Sequence, residues 1–523
     1  MNGVRERALE ELGKGVFDVL VVGGGIVGSR VAWDAARAGL RVALVEAKDF
    51  GGATSGASAR LIHGGLRYLR TAEISLVRMA SRERNTLVSR VAPHLVRPLP
   101  FVLASERSAG QSVKCAAGLF AYAALGGSHR PFPRGIPRHE ARRLVPPLCT
   151  ENLGLPMVFH EAQTNDARLT LATVKAAARA GAVVANYLRA VALYPAPGRI
   201  SRVLLEGRGE EGTVSVACRA IVNATGPWVD SLRRMEDPLC KPLVRLSKGV
   251  HVVLRPSDEW RAALALSLDG DRHLYAVPCE GTILLGTTDT EYSGDPSGVV
   301  PEPGDLSALL DAASGFLLEE ALRPERVIHA FAGLRVLPRG DGAPCSASRE
   351  HLLSVGPGGM VSVAGGKLTT HRQIALDALG YLPAEVRPRR LALSEEPLPG
   401  AYPPAYRSLS SRLDASTVDH LLHLYGSEAE DLLAYADLYL NALEPITPEA
   451  PDLWAQAYHA TSREWALTVQ DIIHRRSTLG LRGCDTPVVR DRISSALEAT
   501  VPTPKTELLR TRTPRPRRAP RPA

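Results

Sequence analysis

The chain has 523 residues, which is enough for two or three domains with substantial cores. Hydrophobic residues make up 45% and charged residues 23%, as in a soluble globular protein, while only 5% are aromatic, which argues against stacking surfaces for single-stranded nucleic acid. The seven cysteines are scattered and none forms C-x-x-C, which indicates a reducing compartment and argues against a disulfide framework or a structural zinc site.

The formal net charge of +8 is concentrated at one end of the chain. Residues 501–523 hold seven lysines and arginines but only one acid, Glu507, and are rich in proline. Because such a segment cannot bury a core, we predict a disordered basic tail, either solvated or in contact with anionic lipid head groups. At the other end, residues 1–16 are charged throughout, so we expect an N-terminal extension without a signal peptide.

The first predicted elements form a β-α-β unit. "FDVLVV" predicts a buried strand, "SRVAWDAARAGL" a helix and "RVALVE" a second strand. Gly23, Gly25 and Gly28 form G-x-G-x-x-G between the first strand and the helix, a pattern that brings backbone close to a pyrophosphate at a helix N-terminus. Glu46 ends the second strand, where its carboxylate can accept hydrogen bonds from ribose hydroxyls. The combination predicts dinucleotide binding; a glycine turn used only for packing is the alternative.

Further elements follow in chain order. The pattern predicts a helix over 71–91, capped by Thr71, and another over 168–180. Apolar, β-branched runs between 249 and 290 predict an antiparallel sheet distinct from the first layer. A proline-rich linker then precedes a region, 408–500, with helical patterns and no strand signals.

One apolar segment, "CAAGLFAYAALGG" at 115–127, is too short to span a bilayer, which takes about 20 apolar residues. We interpret it as either a buried helix or a segment that lies in a membrane interface.

Two glycine-containing segments favour a flavin over a nicotinamide cofactor. "NATGPW" places small residues at a strand end, where backbone can contact a cofactor. "AGGKLTT" places Lys367 just before a helix, where it would stabilise negative charge on a reduced flavin's pyrimidine ring. Each segment by itself is as typical of an ordinary helix start.

Candidate substrate groups are cationic or basic. Arg67, Arg335 and Arg349 lie beside small or turn residues, and arginine binds phosphate bidentately, although a single arginine is most often a surface residue. His251 lies in an apolar strand and is either a satisfied core histidine or a general base.

Taken together, these segments resemble the FAD-dependent, aerobic-type (respiratory) glycerol-3-phosphate dehydrogenases of the D-amino-acid-oxidase-like flavoprotein superfamily. The matching blocks span about 17–481 and occur in the family's order. They are "VVGGGIVG", "ATSGASARLIHGGLRYL", "APHLVRPLPF", "NATGPWV", "GTTDTEY", "AGLRVLP", "AGGKLTTHR" and "REWALTVQDIIHRRSTLGL". "LIHGGLRYL" and the last block are the most specific.

The resemblance implies an α/β (α+β) fold. A Rossmann-like FAD-binding domain over 17–395 would be interleaved with an antiparallel-sheet substrate domain, mainly 240–345. A linker at 396–407 would lead to an all-helical domain at 408–500, followed by the basic tail at 501–523.

The resemblance also implies roles for matching residues, with FAD bound non-covalently and no metal. His251, Arg335 and Lys367 would be catalytic, with His251 the candidate base. Arg67, Tyr68 and Arg349 would bind substrate. The cofactor would be bound by Gly23, Gly25, Ile26, Gly28, Glu46, Thr54, Ser55, Ser58, Arg60, Leu61, His63, Gly64, Ala224, Thr225, Gly226, Gly366, Lys367 and Leu368.

The implied reaction is oxidation of sn-glycerol 3-phosphate to dihydroxyacetone phosphate, with hydride transfer to flavin N5 and electrons passed to quinone. The implied location is the cytoplasm, including the cytoplasmic face of the membrane, and a homodimer is compatible with the family. The alternatives are an oxygen-using glycerol-3-phosphate oxidase, a related amine or hydroxy-acid oxidoreductase, and a flavin-binding protein without turnover.

The chain departs from the family at several positions in and near the glycine-rich blocks. Val27 replaces asparagine, Arg30 replaces glycine, Gly56 replaces serine or a bulkier residue, and Arg60 replaces lysine. We expect the bulk of Arg30 to change how closely the first helix packs on the sheet.

Overall fold

The computed structural model describes residues 3–69, 73–105, 109–126, 131–151, 153–267, 273–340, 350–390, 394–402 and 406–498. The strands are β1 (Val16–Val22), β2 (Val42–Val45), β3 (Leu61–Ile62), β4 (Val96–Ala104), β5 (Arg134–Gly135), β6 (Met157–Thr164), β7 (Val183–Ala185), β8 (Arg189–Ala196), β9 (Arg199–Glu206), β10 (Thr213–Asn223), β11 (Val244–Leu254), β12 (Ala263–Ser267), β13 (His273–Cys279), β14 (Thr282–Gly286), β15 (Thr290–Tyr292), β16 (Val327–Pro338), β17 (His351–Val355) and β18 (Val361–Gly365). The helices are α1 (Gly3–Leu12), α2 (Ile26–Arg37), α3 (Ile74–Thr86), α4 (Ala109–Gly126), α5 (Arg138–Leu144), α6 (Asp166–Arg179), α7 (Val229–Glu236), α8 (Pro303–Ser314), α9 (Glu319–Leu322), α10 (His371–Gly380), α11 (Tyr406–Ser410), α12 (Ala415–Tyr425), α13 (Trp454–Arg463), α14 (Val469–Asp471) and α15 (Pro487–Glu498).

The first sheet has the order β17-β18-β10-β1-β2-β7 and is parallel at its centre. Val19 and Val21 of β1 face a core shared with α2, α6 and α10, whereas Leu20 and Val22 face a core shared with α1. Helices therefore cover both faces of this strand, which explains its continuous apolar run.

The second sheet has the order β15-β11-β14-β13-β12-β4-β6-β3, with β16 beside β11 and β5 beside β6. Its pairs are antiparallel except β12 with β4. The chain passes from the first sheet (β1, β2) to the second (β3–β6), back to the first (β7–β10), again to the second (β11–β16), and returns for β17 and β18. This interleaving confirms the predicted fold class, as does the helical core formed by the described residues beyond 406.

The predicted helix over 71–91 begins later than predicted, while its end at Val91 is confirmed. Helix α3 begins at Ile74, with Glu73 rather than Thr71 at the cap position, and Thr71 lies outside the described residues. The Glu73 amide donates to the Tyr68 carbonyl (3.0 Å), so the preceding turn fixes where the helix starts. After Thr86 the chain continues as a wider π-type turn to Val91.

The apolar segment at 115–127 lies largely in α4, and it is neither fully buried nor fully exposed. Leu119 and Tyr122 are buried, whereas Phe120 is exposed. No helix in the described part of the chain has the length and apolarity that a bilayer crossing requires.

Arg30 does not disturb the packing of α2 on the sheet, contrary to the expectation from its size. A Cβ on Gly28, not position 30, would overlap the Gly23 carbonyl, so Gly28 is the residue at the helix–strand contact. The Arg30 side chain is buried on another face, where it donates to Asp34 (Nε to Oδ2, 2.8 Å) and to Glu395 (Nη2 to Oε1, 3.0 Å). It thereby attaches the segment that precedes the C-terminal helices to α2.

Candidate active site

A cavity of about 1110 Å³ is lined by residues from both sheets. The loops that follow β1, β2, β10 and β18 contribute one part of its lining, and β11 and β16 contribute another. It lies partly at the carboxyl ends of parallel strands, which is where open α/β sheets bind ligands.

The glycine turn after β1 forms one end of this lining. Gly23 has φ +113°, and a Cβ on it would overlap the Ala224 carbonyl. Gly25 caps α2, and a Cβ there would lie 3.0 Å from Ser55 Oγ. Gly23, Gly25 and Ile26 therefore present backbone and the positive end of α2 to the cavity, whereas Gly28 packs against Gly23 and is not in the lining.

Glu46 is fixed at the end of β2 by backbone donors. Its carboxylate accepts hydrogen bonds from the amides of Gly24 (2.7 Å) and Lys48 (2.9 Å). Burial is the main influence on this group and raises its pKa, while the amide hydrogen bonds oppose that effect. Glu46 thus presents a half-buried, oriented acceptor to the cavity.

The loop over residues 54–58 crosses from the first sheet to the second. Thr54 Oγ1 donates to the Leu334 carbonyl (2.7 Å), and Ser55 Oγ accepts from the Ile26 amide (3.0 Å). The Ser58 amide and hydroxyl both donate to Asp166 Oδ2 (2.9 and 2.7 Å). Ser55 therefore occupies the helix N-terminus to which an anion would bind.

Two predicted cofactor residues of the following segment are not in the cavity lining. Arg60 has φ +56°, and its side chain is buried between Asp166 (Nε to Oδ1, 3.7 Å) and Cys279 Sγ (3.6 Å). A Cβ on Gly64 would overlap Ser81 and Tyr122, so this glycine serves packing against α3 and α4. Their neighbours Leu61 and His63 do line the cavity.

Tyr68 and Lys367 meet at another part of the wall. Lys367 Nζ lies 3.4 Å from the centroid of the Tyr68 ring, a cation–π contact. Gly365 and Gly366 precede it with φ +75° and +82°, which turns the chain from β18 towards α10. The predicted residues Ala224, Thr225, Gly226, Gly366 and Leu368 also line the cavity. Arg349 and the side chain of Arg67 lie outside the described residues.

Arg335 projects from β16 into the second part of the cavity. Its guanidinium donates to Thr287 Oγ1 (2.8 Å), to the Thr288 carbonyl (3.0 Å) and to Asp289 Oδ1 (3.2 Å). These three acceptors were not among the site residues predicted from the sequence. They lie in the family block "GTTDTEY", which follows a strand directly, and that position could have indicated them. They hold Arg335 beside the cavity, which they also line.

His251 lies on β11, which pairs with β16. Its ring stacks on Phe331 at 5.1 Å between centroids, and neither ring nitrogen has a hydrogen-bond partner among the described residues. Burial, followed by the charge of Arg335, lowers the pKa of His251 to about 3. His251 therefore lines the cavity as a neutral imidazole whose two nitrogens are buried and have no partner in the described part of the chain.

The residues present fit FAD. A dinucleotide needs backbone that approaches its diphosphate, a helix N-terminus and an acidic acceptor for ribose, and Gly23, Gly25 and Glu46 supply these in one continuous wall. Lys367, which also lines the cavity, supplies the positive charge that suits a flavin ring.

Comparison with known proteins agrees with this fit. The family described as FAD dependent oxidoreductase matches residues 18–372, and the C-terminal domain of alpha-glycerophosphate oxidase matches residues 394–493. Glycerol-3-phosphate dehydrogenase 2 of Mycobacterium tuberculosis is 36% identical over 502 residues, covering 92% of this chain and 85% of the relative. Glycerol-3-phosphate dehydrogenase of Synechocystis is 32% identical, covering 91% of each chain.

Among solved structures, the glycerol-3-phosphate dehydrogenase of Bacillus halodurans complexed with FAD superposes with a TM-score of 0.75 at 25% identity, covering 94% of this chain and 96% of that one. The L-alpha-glycerophosphate oxidase of Mycoplasma pneumoniae, with FAD bound, has a TM-score of 0.57 at 16% identity, covering 71% and 95%, and shows the shared fold. The chain therefore belongs to the FAD-dependent glycerol-3-phosphate dehydrogenase family, and its cofactor is FAD.

Proposed function

We propose that the chain oxidises the C2 hydroxyl of sn-glycerol 3-phosphate and forms dihydroxyacetone phosphate. The observation that carries the proposal is that His251, Arg335 and the glycine turn line one cavity, and that the His251 imidazole has no hydrogen-bond partner among the described residues. The names of the relatives support this choice of substrate.

His251 is the base in this proposal. Burial keeps its imidazole neutral, the state a base needs before it accepts a proton. In the proposed complex the substrate hydroxyl would approach a ring nitrogen, and the negative charge of the bound substrate would oppose the lowering of the pKa by burial and Arg335. Arg335, held by acceptors that include Thr287, Thr288 and Asp289, would orient the substrate oxygen and stabilise the charge that develops there. Bound FAD would accept the C2 hydrogen as hydride at N5, which leaves a carbonyl at C2 once the proton has gone to His251.

Cationic side chains would hold the phosphate. Lys367 lies on the cavity wall over Tyr68, and we propose that Arg67 and Arg349 complete the phosphate site. Because the phosphate is held away from C2, its binding fixes the position of the reacting carbon. The binding energy therefore lowers the barrier to hydride transfer as well as increasing substrate affinity.

We propose quinone as the electron acceptor, with peripheral attachment to the cytoplasmic face of the membrane. An oxygen-using oxidase is the second candidate, favoured by the match of residues 394–493 to an alpha-glycerophosphate oxidase domain.

Anaerobic addition of sn-glycerol 3-phosphate to the purified holoprotein tests the substrate. We expect the visible absorbance of the oxidised flavin to bleach, and no bleaching would rule the substrate out. The reduced flavin is then offered a short-chain quinone or air. Reoxidation by the quinone, with no peroxide formed in air, supports the dehydrogenase. Formation of one peroxide per substrate oxidised in air supports the oxidase.

A further inference from the structure

Asp49, which lies in the turn after β2, is a buried carboxylate whose cationic partners come from the far end of the chain. It is 1% exposed and accepts hydrogen bonds from Arg476 Nη1 (2.6 Å) and Nη2 (2.8 Å), and from Arg475 Nε (2.5 Å). Asn186 Nδ2 donates to it as well (3.1 Å). Burial by itself would raise the pKa of Asp49, but Arg476 and Arg475 outweigh it and lower the pKa, so the carboxylate is charged.

The turn that Asp49 starts supports the cofactor wall. Phe50 follows it and packs under the glycine turn, where a Cβ on Gly24 would lie 2.5 Å from Phe50 Cδ1. The Gly51 amide donates to the Gly24 carbonyl (3.1 Å), and the Gly52 amide donates to the Asp49 carbonyl (3.0 Å). Gly51 and Gly52 line the cavity, so a displacement of Asp49 would move cavity-lining backbone directly.

The C-terminal segment makes a second contact of the same kind. Asp471 accepts from the hydroxyl of Tyr187 (2.7 Å) and from Arg475 Nη2 (2.6 Å). Tyr187 lines the cavity, and its amide donates to the Lys48 carbonyl (2.9 Å). Trp465 adds an apolar contact, because its ring meets Phe50 edge-on at 5.7 Å.

We infer that Asp471, Arg475 and Arg476 are positioning residues for FAD, and that they act through Asp49 and Tyr187. This assigns a role to "DIIHRR", a block that the proposed chemistry leaves unused. The inference depends only on the FAD site and not on the substrate proposed above, so failure of glycerol 3-phosphate to bleach the flavin would leave it untouched.

A binding site loses affinity when the residues that hold its lining in place are removed. Ligand binding must then fix the mobile lining, and the entropy lost in doing so reduces the binding free energy. The test is the dissociation constant of FAD for the full-length apoprotein, measured by titration with FAD and flavin fluorescence. Arg475→Gln and Asp49→Asn are each expected to weaken FAD binding about tenfold, and the double variant by less than the product of the two, because the two changes share the Asp49–Arg475 contact. Arg475→Lys, which keeps the charge, is expected to recover part of the affinity.

Lys175→Met is the matched control. Lys175 pairs with Glu428 (2.6 Å) and Glu464 (3.2 Å), so it also joins α6 to the C-terminal region, but it contacts neither the turn at 49–52 nor the cavity. We expect this variant to lower the melting temperature of the apoprotein while FAD affinity stays within about twofold of the parent.

The inference is overturned if Arg475→Gln lowers the melting temperature as Lys175→Met does but leaves the FAD dissociation constant unchanged. Tyr187→Phe tests the second contact independently, because it removes only the hydroxyl that bonds to Asp471 and retains the ring. The same FAD dissociation constant is measured, and we expect it to rise. If Asp49→Asn does not fold, Arg475→Gln and Tyr187→Phe decide the question, since Arg476 still pairs with Asp49 in both.

Discussion

The guanidinium of Arg335 lies directly against the backbone of Gly249, where a Cβ would stand 2.6 Å from Nη2 and 2.8 Å from Cζ. Glycine at this position on β11 therefore leaves the space in which Arg335 reaches Thr287 and Thr288. A methyl group at 249 would push a charged side chain away from the site without changing any polar group.

Gly249→Ala is expected to lower kcat with sn-glycerol 3-phosphate at least about tenfold, because small displacements of catalytic groups are costly. Steady-state kinetics measure this, and FAD content checks that the cofactor site is intact. Gly304→Ala is the control, because a Cβ on Gly304 meets no atom within 4 Å. Equal activity of both variants would show that Arg335 tolerates displacement.

His251→Gln is expected to lower kcat by about 10²-fold or more, the usual contribution of a general base, while FAD affinity remains close to that of the parent. The rate of anaerobic flavin bleaching in single turnovers measures the step without interference from the acceptor. A bleaching rate within a few-fold of the parent would exclude His251 as the base.

Stability is expected to fall as pH decreases below neutrality, because several buried histidines are neutral in the folded protein. Burial lowers the pKa of His251 and His371 to about 3, and of His459 to about 4, each from an ordinary value of 6.5. Between these values the unfolded chain binds protons that the folded protein excludes, so stability is fully present above about pH 6.5 and is lost as pH falls.

Denaturant unfolding at pH 6.5 and pH 5 measures that slope. His371→Asn should reduce it by up to about 1.4 kcal/mol per pH unit, the value for one proton. His139→Asn is the control, because His139 is exposed on α5. Identical slopes for the parent and His371→Asn would contradict the prediction.

Arg30→Met is expected to lower the free energy of unfolding by about 3 kcal/mol, because it leaves the buried carboxylates of Asp34 and Glu395 without that partner. Chemical denaturation of the apoprotein measures the change. Arg219→Met removes the exposed pair with Asp18 and should change stability by less than about 1 kcal/mol. A loss no greater than in this control would mean that Arg30 contributes little.

The sequence predicted the site correctly where the residues that form it are close together in the chain. The strand, the glycine turn and Glu46 lie within one β-α-β unit, so their spacing predicts where they meet. It was less informative where side-chain direction depends on distant packing. Arg60 and Gly64 lie in a cavity-lining segment, but they face Asp166 of α6 and Tyr122 of α4, respectively. Likewise, no local pattern indicates that Asp49 pairs with Arg476, 427 residues away.

The passage of the chain back and forth between the two sheets has a consequence for folding. Cavity-lining residues extend from Val22 to Thr369, so any fragment that ends before Thr369 lacks part of the wall. Contacts of such large sequence separation form late and slowly, because loop closure precedes the stabilising contacts. A growing chain therefore carries the dinucleotide-binding turn for most of its synthesis before the remainder of the site exists, so the complete cofactor wall can form only after Thr369 has been added.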